Sequence, residues 1–170
     1  MEEIAAIVER IIAEHKVILA DLKSFEKVSN DATAFRAIES GKEAFMPGRL
    51  ASREGLKRLD DARARVDTGL HNHFHWEETT LLDAFTRYRA DSLISTLKTL
   101  MSEHDGIRDR LGELKGLVEE LSTEKLSRHL WEAKAYDMRA HMTNLQKTVQ
   151  THAASEQVLF NDLVKQRKNS

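Results

Sequence analysis

Apolar residues recur along this chain at alternating steps of three and four, the period of a helix with one buried face. Near the N-terminus Ile4, Val8, Ile11, Ile18, Leu22 and Phe25 hold one stripe, with His15 in its gap. A second stripe reads Leu59, Val66, Leu70, His73, Glu77, Leu81 and Ala84, and predicts a helix from about Arg49 to Arg89. The third is Leu93, Leu97, Leu100, His104, Ile107, Leu111, Leu114, Val118 and Leu121. The fourth runs from Trp131 through Met138, Met142, Leu145, Val149, His152 and Glu156 to Leu163, with Ser122 or Thr123 expected as its N-cap.

Asn30 and Asp31 should end the first helix. Residues 31–48 read as a short helix closing near Gly41, then a loop at "MPG", where Pro47 cannot continue a helix. The pattern therefore predicts an all-α protein. Its four long helices should pack as an antiparallel up-down four-helix bundle, with a short extra helix or loop between the first two. At 170 residues one domain, 1–170, is expected.

Composition narrows the function classes. Twenty-six basic and 28 acidic residues leave a net charge of −2, with no basic stripe for a nucleic-acid partner. No run approaches the roughly 18 apolar residues of a membrane span, and the charged N-terminal stretch lacks a signal-peptide core. A cytoplasmic location is expected. There is no cysteine, so disulfides and thiolate metal sites are excluded.

The stripes are interrupted by polar groups at six places: His15, His73, Glu77, His104, His152 and Glu156. His73/Glu77 and His152/Glu156 are each spaced i, i+4, so both members project from one face. The chain also repeats itself. "EHKVILADL" at 14–22 resembles "EHDGIRDRL" at 103–111, and "HFHWEETTLLDAF" at 73–85 resembles "HAASEQVLFNDL" at 152–163. Each half thus supplies one helix with His and one with His-x-x-x-Glu.

Such a set needs compensation, because an unpaired buried ion costs several kcal/mol and folding stability totals only about 5–15 kcal/mol. The stripes offer no Lys or Arg nearby except Arg108. A pair of metal ions would satisfy all six. Imidazole with carboxylate suits iron, manganese or zinc, and the residues alone leave that choice open, along with buried histidines satisfied without metal.

The pattern His15, His73-Phe-x-x-Glu77, His104 and His152-x-x-x-Glu156 resembles the hemerythrin-like (HHE cation-binding) domain of bacterial proteins, over most of the chain. The resemblance implies a four-helix bundle around two iron ions, a non-haem di-iron centre with an oxo or hydroxo bridge. It implies that His15 and His73 bind one iron, His104 and His152 the other, and that Glu77 and Glu156 bridge. Ferritin-type centres use Glu-x-x-His, the opposite order.

One departure matters. Oxygen-carrying hemerythrins resemble this chain but bear two ligating histidines one turn apart on the third helix. Here Arg108 stands four after His104 and Leu100 four before it. That moves the expectation from simple oxygen carriage toward binding of, or reaction with, a small diatomic ligand or oxidant (oxygen, nitric oxide, peroxide) in stress response or iron handling. The alternatives are an iron-dependent sensing or interaction module without turnover, and oxygen storage. No acid-base pair or nucleophile stands outside the ligand set, so no enzymatic turnover is assigned.

The remaining candidates fall off the stripes. His71 and His75 are rotated about 200° from His73, toward the outside. Glu78 is expected to face solvent or support the site from behind. Arg108 is a candidate contact to a carboxylate. His129 should face water, and His141 is open to an inward orientation. Phe74 and Phe160 could flank the site and keep it dry.

Overall fold

A computed structural model of the protein describes residues 2–39, 50–87, 91–122 and 126–168. Among them every regular element is helical: α1 (Glu2–Glu39), α2 (Leu50–Trp76), a π turn (Glu77–Leu81) leading into α3 (Leu82–Arg87), α4 (Asp91–Met101), α5 (Glu103–Leu121) and α6 (Arg128–Lys168). α1 packs on α2 and α6, and α5 packs on the same two helices, so the long helices close around a common core as a bundle.

The stripes predicted from the sequence form that core. Ile18, Leu22, Phe25, Leu59, Val66, Leu70, Ile107, Leu114, Met138 and Leu145 lie in one large apolar cluster. Ile4, Ile11, Leu81, Phe85, Leu97 and Phe160 lie in a second. On α1, His15 falls between Ile11 of one cluster and Ile18 of the other. On α5 and α6, Ile107 and Val149 belong to the first cluster and Leu100 and Leu159 to the second, with His104, His152 and Glu156 between them. The core is thus two apolar layers separated by a polar one.

Four boundaries differ from the sequence expectation. α1 does not stop at Asn30 and Asp31 but continues to Glu39, so no separate short helix begins at 31. The cost of Asn and Asp in a helix interior is a fraction of a kcal/mol, roughly 0.7 at most, and Ser29 extends the buried stripe one turn beyond Phe25. The expected helix end at Gly41 and the loop at Pro47 lie outside the described residues. The second helix starts at Leu50 and is described to Arg87, but winds through the π turn on the way.

The third helix is broken at Ser102. Its hydroxyl donates to the Thr99 carbonyl at 2.6 Å, and its N–H is shared between the Lys98 and Thr99 carbonyls. A local side-chain bond of this kind competes with the helical ladder. The fourth helix begins at Arg128 rather than after Ser122 or Thr123. Ser127 Oγ accepts from the Leu130 N–H at 3.4 Å, the capping position, while the Ser122 hydroxyl donates back to the Val118 carbonyl and finishes α5. Trp131 then ties the two helices, its indole N–H donating to the Leu121 carbonyl at 3.1 Å.

Candidate metal centre

His15 on α1, His73 on α2, Glu77 at the head of the π turn, His104 on α5, and His152 and Glu156 on α6 are all buried in the polar layer. They form two overlapping groups. His15, His73, Glu77 and Glu156 offer donor atoms within 4.8 Å of one another, and so do Glu77, His104, His152 and Glu156. The two glutamates belong to both.

The imidazoles meet through Nε2. His15 and His73 bring these atoms to 2.9 Å, and His104 and His152 to 3.2 Å. Glu156 lies between them, with Oε2 at 2.9 Å from His15 Nε2 and Oε1 at 3.1 Å from His152 Nε2. Glu77 sits opposite, 3.3 Å from His73 Nε2 and 3.4 Å from His104 Nε2. Close as they are, all four carboxylate oxygens are fully buried and accept no well-directed hydrogen bond. Donor atoms crowded together without bonding one another are what a cation-binding cage looks like before the cation is counted.

The outward face of the rings fixes their protonation. Glu14 Oε2 stands 3.0 Å from His73 Nδ1, Glu78 Oε1 2.8 Å from His104 Nδ1, and Glu103 Oε2 2.9 Å from His152 Nδ1. An ionised carboxylate can only accept, so each of these imidazoles donates from Nδ1 and turns the Nε2 lone pair inward. Paired inward lone pairs repel each other unless a cation lies between them. Carboxylates behind metal-bound histidines serve to orient the ring and raise its basicity.

Burial and neighbouring charge pull the two glutamates apart. Burial and the adjacent Glu156 carboxylate push the Glu77 carboxyl well above its ordinary range. Burial also raises Glu156, but the His15 and His152 imidazoles outweigh it and hold that carboxyl below the usual range. Burial depresses His73 and His104, more than Glu14 and Glu78 raise them. For His152 the balance reverses: burial lowers it, yet Glu156 and Glu103 together raise it.

Glu78 supports the site from behind rather than from within it, since its carboxylate reaches Nδ1 of His104 and not the cage. Arg108 Nη2 donates to both Glu78 oxygens, at 2.7 and 2.9 Å. Phe74 is fully buried and stacks on His104, with centroids 3.9 Å apart and planes 13° apart. His71, His75 and His129 are exposed, and His71 pairs with Asp67. The inward option for His141 is not taken: it pairs with Glu113 at 3.3 Å on a half-exposed surface.

Glu14 and Glu103 were not legible as site residues from the stripes, because each lies one residue, about 100°, off its own inward face. Each reaches across to a histidine of the neighbouring helix. The available signal was the repeated "EH" pair at 14–15 and 103–104.

Fold and site together define a helical protein with a buried His/Glu cage suited to cations. The chain belongs to the hemerythrin HHE cation-binding domain family, whose sequence model matches residues 43–161. No curated protein and no solved structure matches the chain. Among the described residues no helix is long and apolar enough to cross a membrane.

Proposed function

We propose that this chain is a dinuclear non-haem iron protein that binds or reacts with a small diatomic ligand or oxidant such as oxygen, nitric oxide or peroxide. His15 and His73 would hold one ion, His104 and His152 the other, and Glu77 and Glu156 would be shared. The observation that carries this reading is the doubled donor set: two four-residue groups, all buried, with the same two glutamates in each. Its hard oxygen and imidazole donors, with no sulfur, fit iron and admit manganese or zinc. When bound, iron would supply one-electron redox chemistry and open coordination positions.

The chain's own residues do the rest. Glu14, Glu78 and Glu103 keep their histidines in the tautomer that ligates. The apolar layers on either side exclude bulk water, so only small ligands would enter. The contact order supports the up-down antiparallel arrangement of the bundle: Glu103 meets His152, Glu113 meets His141 and Glu120 meets Lys134 on the partner helix. Likewise Glu3 meets Arg87 and Glu14 meets His73. We take residues 1–170 as one domain, and a cytoplasmic location accords with the absence of cysteine.

The Arg108–Glu78 pair favours this reading over simple oxygen carriage, because the arginine occupies the position where a fifth histidine would stand and uses it to brace a carboxylate. The second reading, an iron-dependent sensing or interaction module, rests on ions tying together four helices, which couples folding to metal. Elemental analysis of freshly purified protein, followed by anaerobic reduction and stopped-flow spectra with nitric oxide, oxygen and peroxide, tests both. Two irons per chain and rapid spectral change support the first reading. Two irons with unreactive spectra support the second, and a chain that retains no metal sinks both.

A further inference from the structure

The two halves of the cage share a register that places Glu14 and His15 with Glu103 and His104, and His73 and Glu77 with His152 and Glu156. Followed outward, the same register pairs Phe74 with Ala153, Glu78 with Gln157, and Arg108 with Leu19. Everything that braces His104 is therefore replaced at the corresponding place around His15. His104 has a stacked phenyl ring, a carboxylate on Nδ1 and an arginine locking that carboxylate. In those roles the other half has a methyl group, an amide and an aliphatic chain.

The coordinates agree with the sequence difference. The Gln157 amide does not reach the histidine but donates to Asn161 Oδ1 at 3.4 Å. Among the described residues His15 meets only His73 and Glu156, both through Nε2, and nothing through Nδ1. It is also the most open of the four imidazoles, 8% exposed where His104 is fully buried. His73 keeps its carboxylate, Glu14, so the deficit is confined to His15.

Resting on the dinuclear reading above, we propose that the two ion positions are unequal. The His104/His152 position fills first and holds its ion more tightly. The His15/His73 position fills second and is the labile one, with His15 the ligand that lets go. The mechanism is preorganisation: an imidazole already locked in the ligating tautomer and orientation has less to lose on binding than one free to turn. Partners of this kind are typically worth 10–100-fold in metal affinity.

The test is an anaerobic ferrous titration of the whole apoprotein against a competing chelator, with bound iron measured directly and helicity followed by circular dichroism. Wild type should take two ions, the second about 10–100-fold more weakly. Identical positions sharing two glutamates could also fill in two steps, so variants decide. His15→Ala should keep one ion at near the tighter affinity, whereas His104→Ala should keep none at that affinity. Glu78→Gln should weaken the first ion about tenfold or more, and Gln157→Glu should strengthen the second. If His104→Ala retains the tight ion, or if Glu78→Gln and Gln157→Glu leave the gap unmoved, the inequality is overturned and two bound ions still stand. Saturation at one ion or none in wild type would instead overturn the dinuclear reading.

Discussion

Glu103 adjoins His104 in the chain, yet its carboxylate lies 2.9 Å from Nδ1 of His152 on another helix. Glu14, which adjoins His15, does the same to His73 at 3.0 Å. Each helix with a single inward histidine thus also steadies the histidine of its neighbour. Removing either carboxylate should leave the fold intact, because Glu103 is half-exposed and Glu14 partly so. We expect Glu103→Gln and Glu14→Gln each to lower metal affinity by about 10–100-fold with unchanged circular dichroism. Chelator competition measures this, and affinity equal to wild type in both variants would remove the bracing role.

Glu77 should affect apoprotein and loaded protein in opposite directions. Without an ion, its oxygens are buried and make no hydrogen bond, a situation that costs about 1–3 kcal/mol. Glu77→Met should therefore stabilise the apoprotein by up to that amount while abolishing most of the gain from metal. Denaturant unfolding with and without ferrous iron checks both signs. By contrast, His71→Ala and His75→Ala, at exposed positions, should leave metal occupancy close to wild type, and losses equal to those of Glu77→Ala or Glu156→Ala would move the ligand assignment.

Much of the fold, and every residue of the cage, was legible because burial has a period. A polar side chain on an inward stripe stands out against its neighbours, and His15, His73, Glu77, His104, His152 and Glu156 did. What the stripes hid was of two kinds. Glu14 and Glu103 act across helices from off-stripe positions, so no pattern within one helix marks them. The break at Ser102 and the cap at Ser127 turn on single hydroxyls choosing among nearby backbone groups, a choice of about 1 kcal/mol that tertiary packing decides. The π turn at Glu77–Leu81 begins at a cage residue, where such irregular turns tend to occur, but "EETTL" does not announce it.

Metal uptake should release a proton from Glu77. Its folded-state pKa is raised, so in the apoprotein its contribution to stability is full below the ordinary carboxylate pKa and is lost as pH rises through the folded value. An ion reverses the preference by binding the ionised form. Affinity should fall on acidification below that folded value, by about tenfold per pH unit for this proton. Calorimetry in buffers of different ionisation enthalpy counts the protons released. Wild type should release at least one more than Glu77→Gln, and equal release from the two would show that the proton comes from elsewhere.

Arg63 offers a stability test away from the cage. Its side chain is buried on α2, with Nε donating to Asp60 at 2.7 Å, while Nη1 is buried without a hydrogen bond and 3.7 Å from Asp67. Asp60 is half-exposed, so the pair it makes is worth no more than about 1 kcal/mol. A buried guanidinium with an unsatisfied nitrogen is the more costly feature, and apolar replacements of similar volume at such sites are often neutral or stabilising by about 1–4 kcal/mol. We expect Arg63→Met to unfold at the same or higher denaturant concentration, with metal stoichiometry unchanged because Arg63 touches no cage residue among those described. A loss of 2 kcal/mol or more, on the scale expected for breaking a well-made buried pair (about 3–5 kcal/mol), would mean that this arginine holds α2 in place.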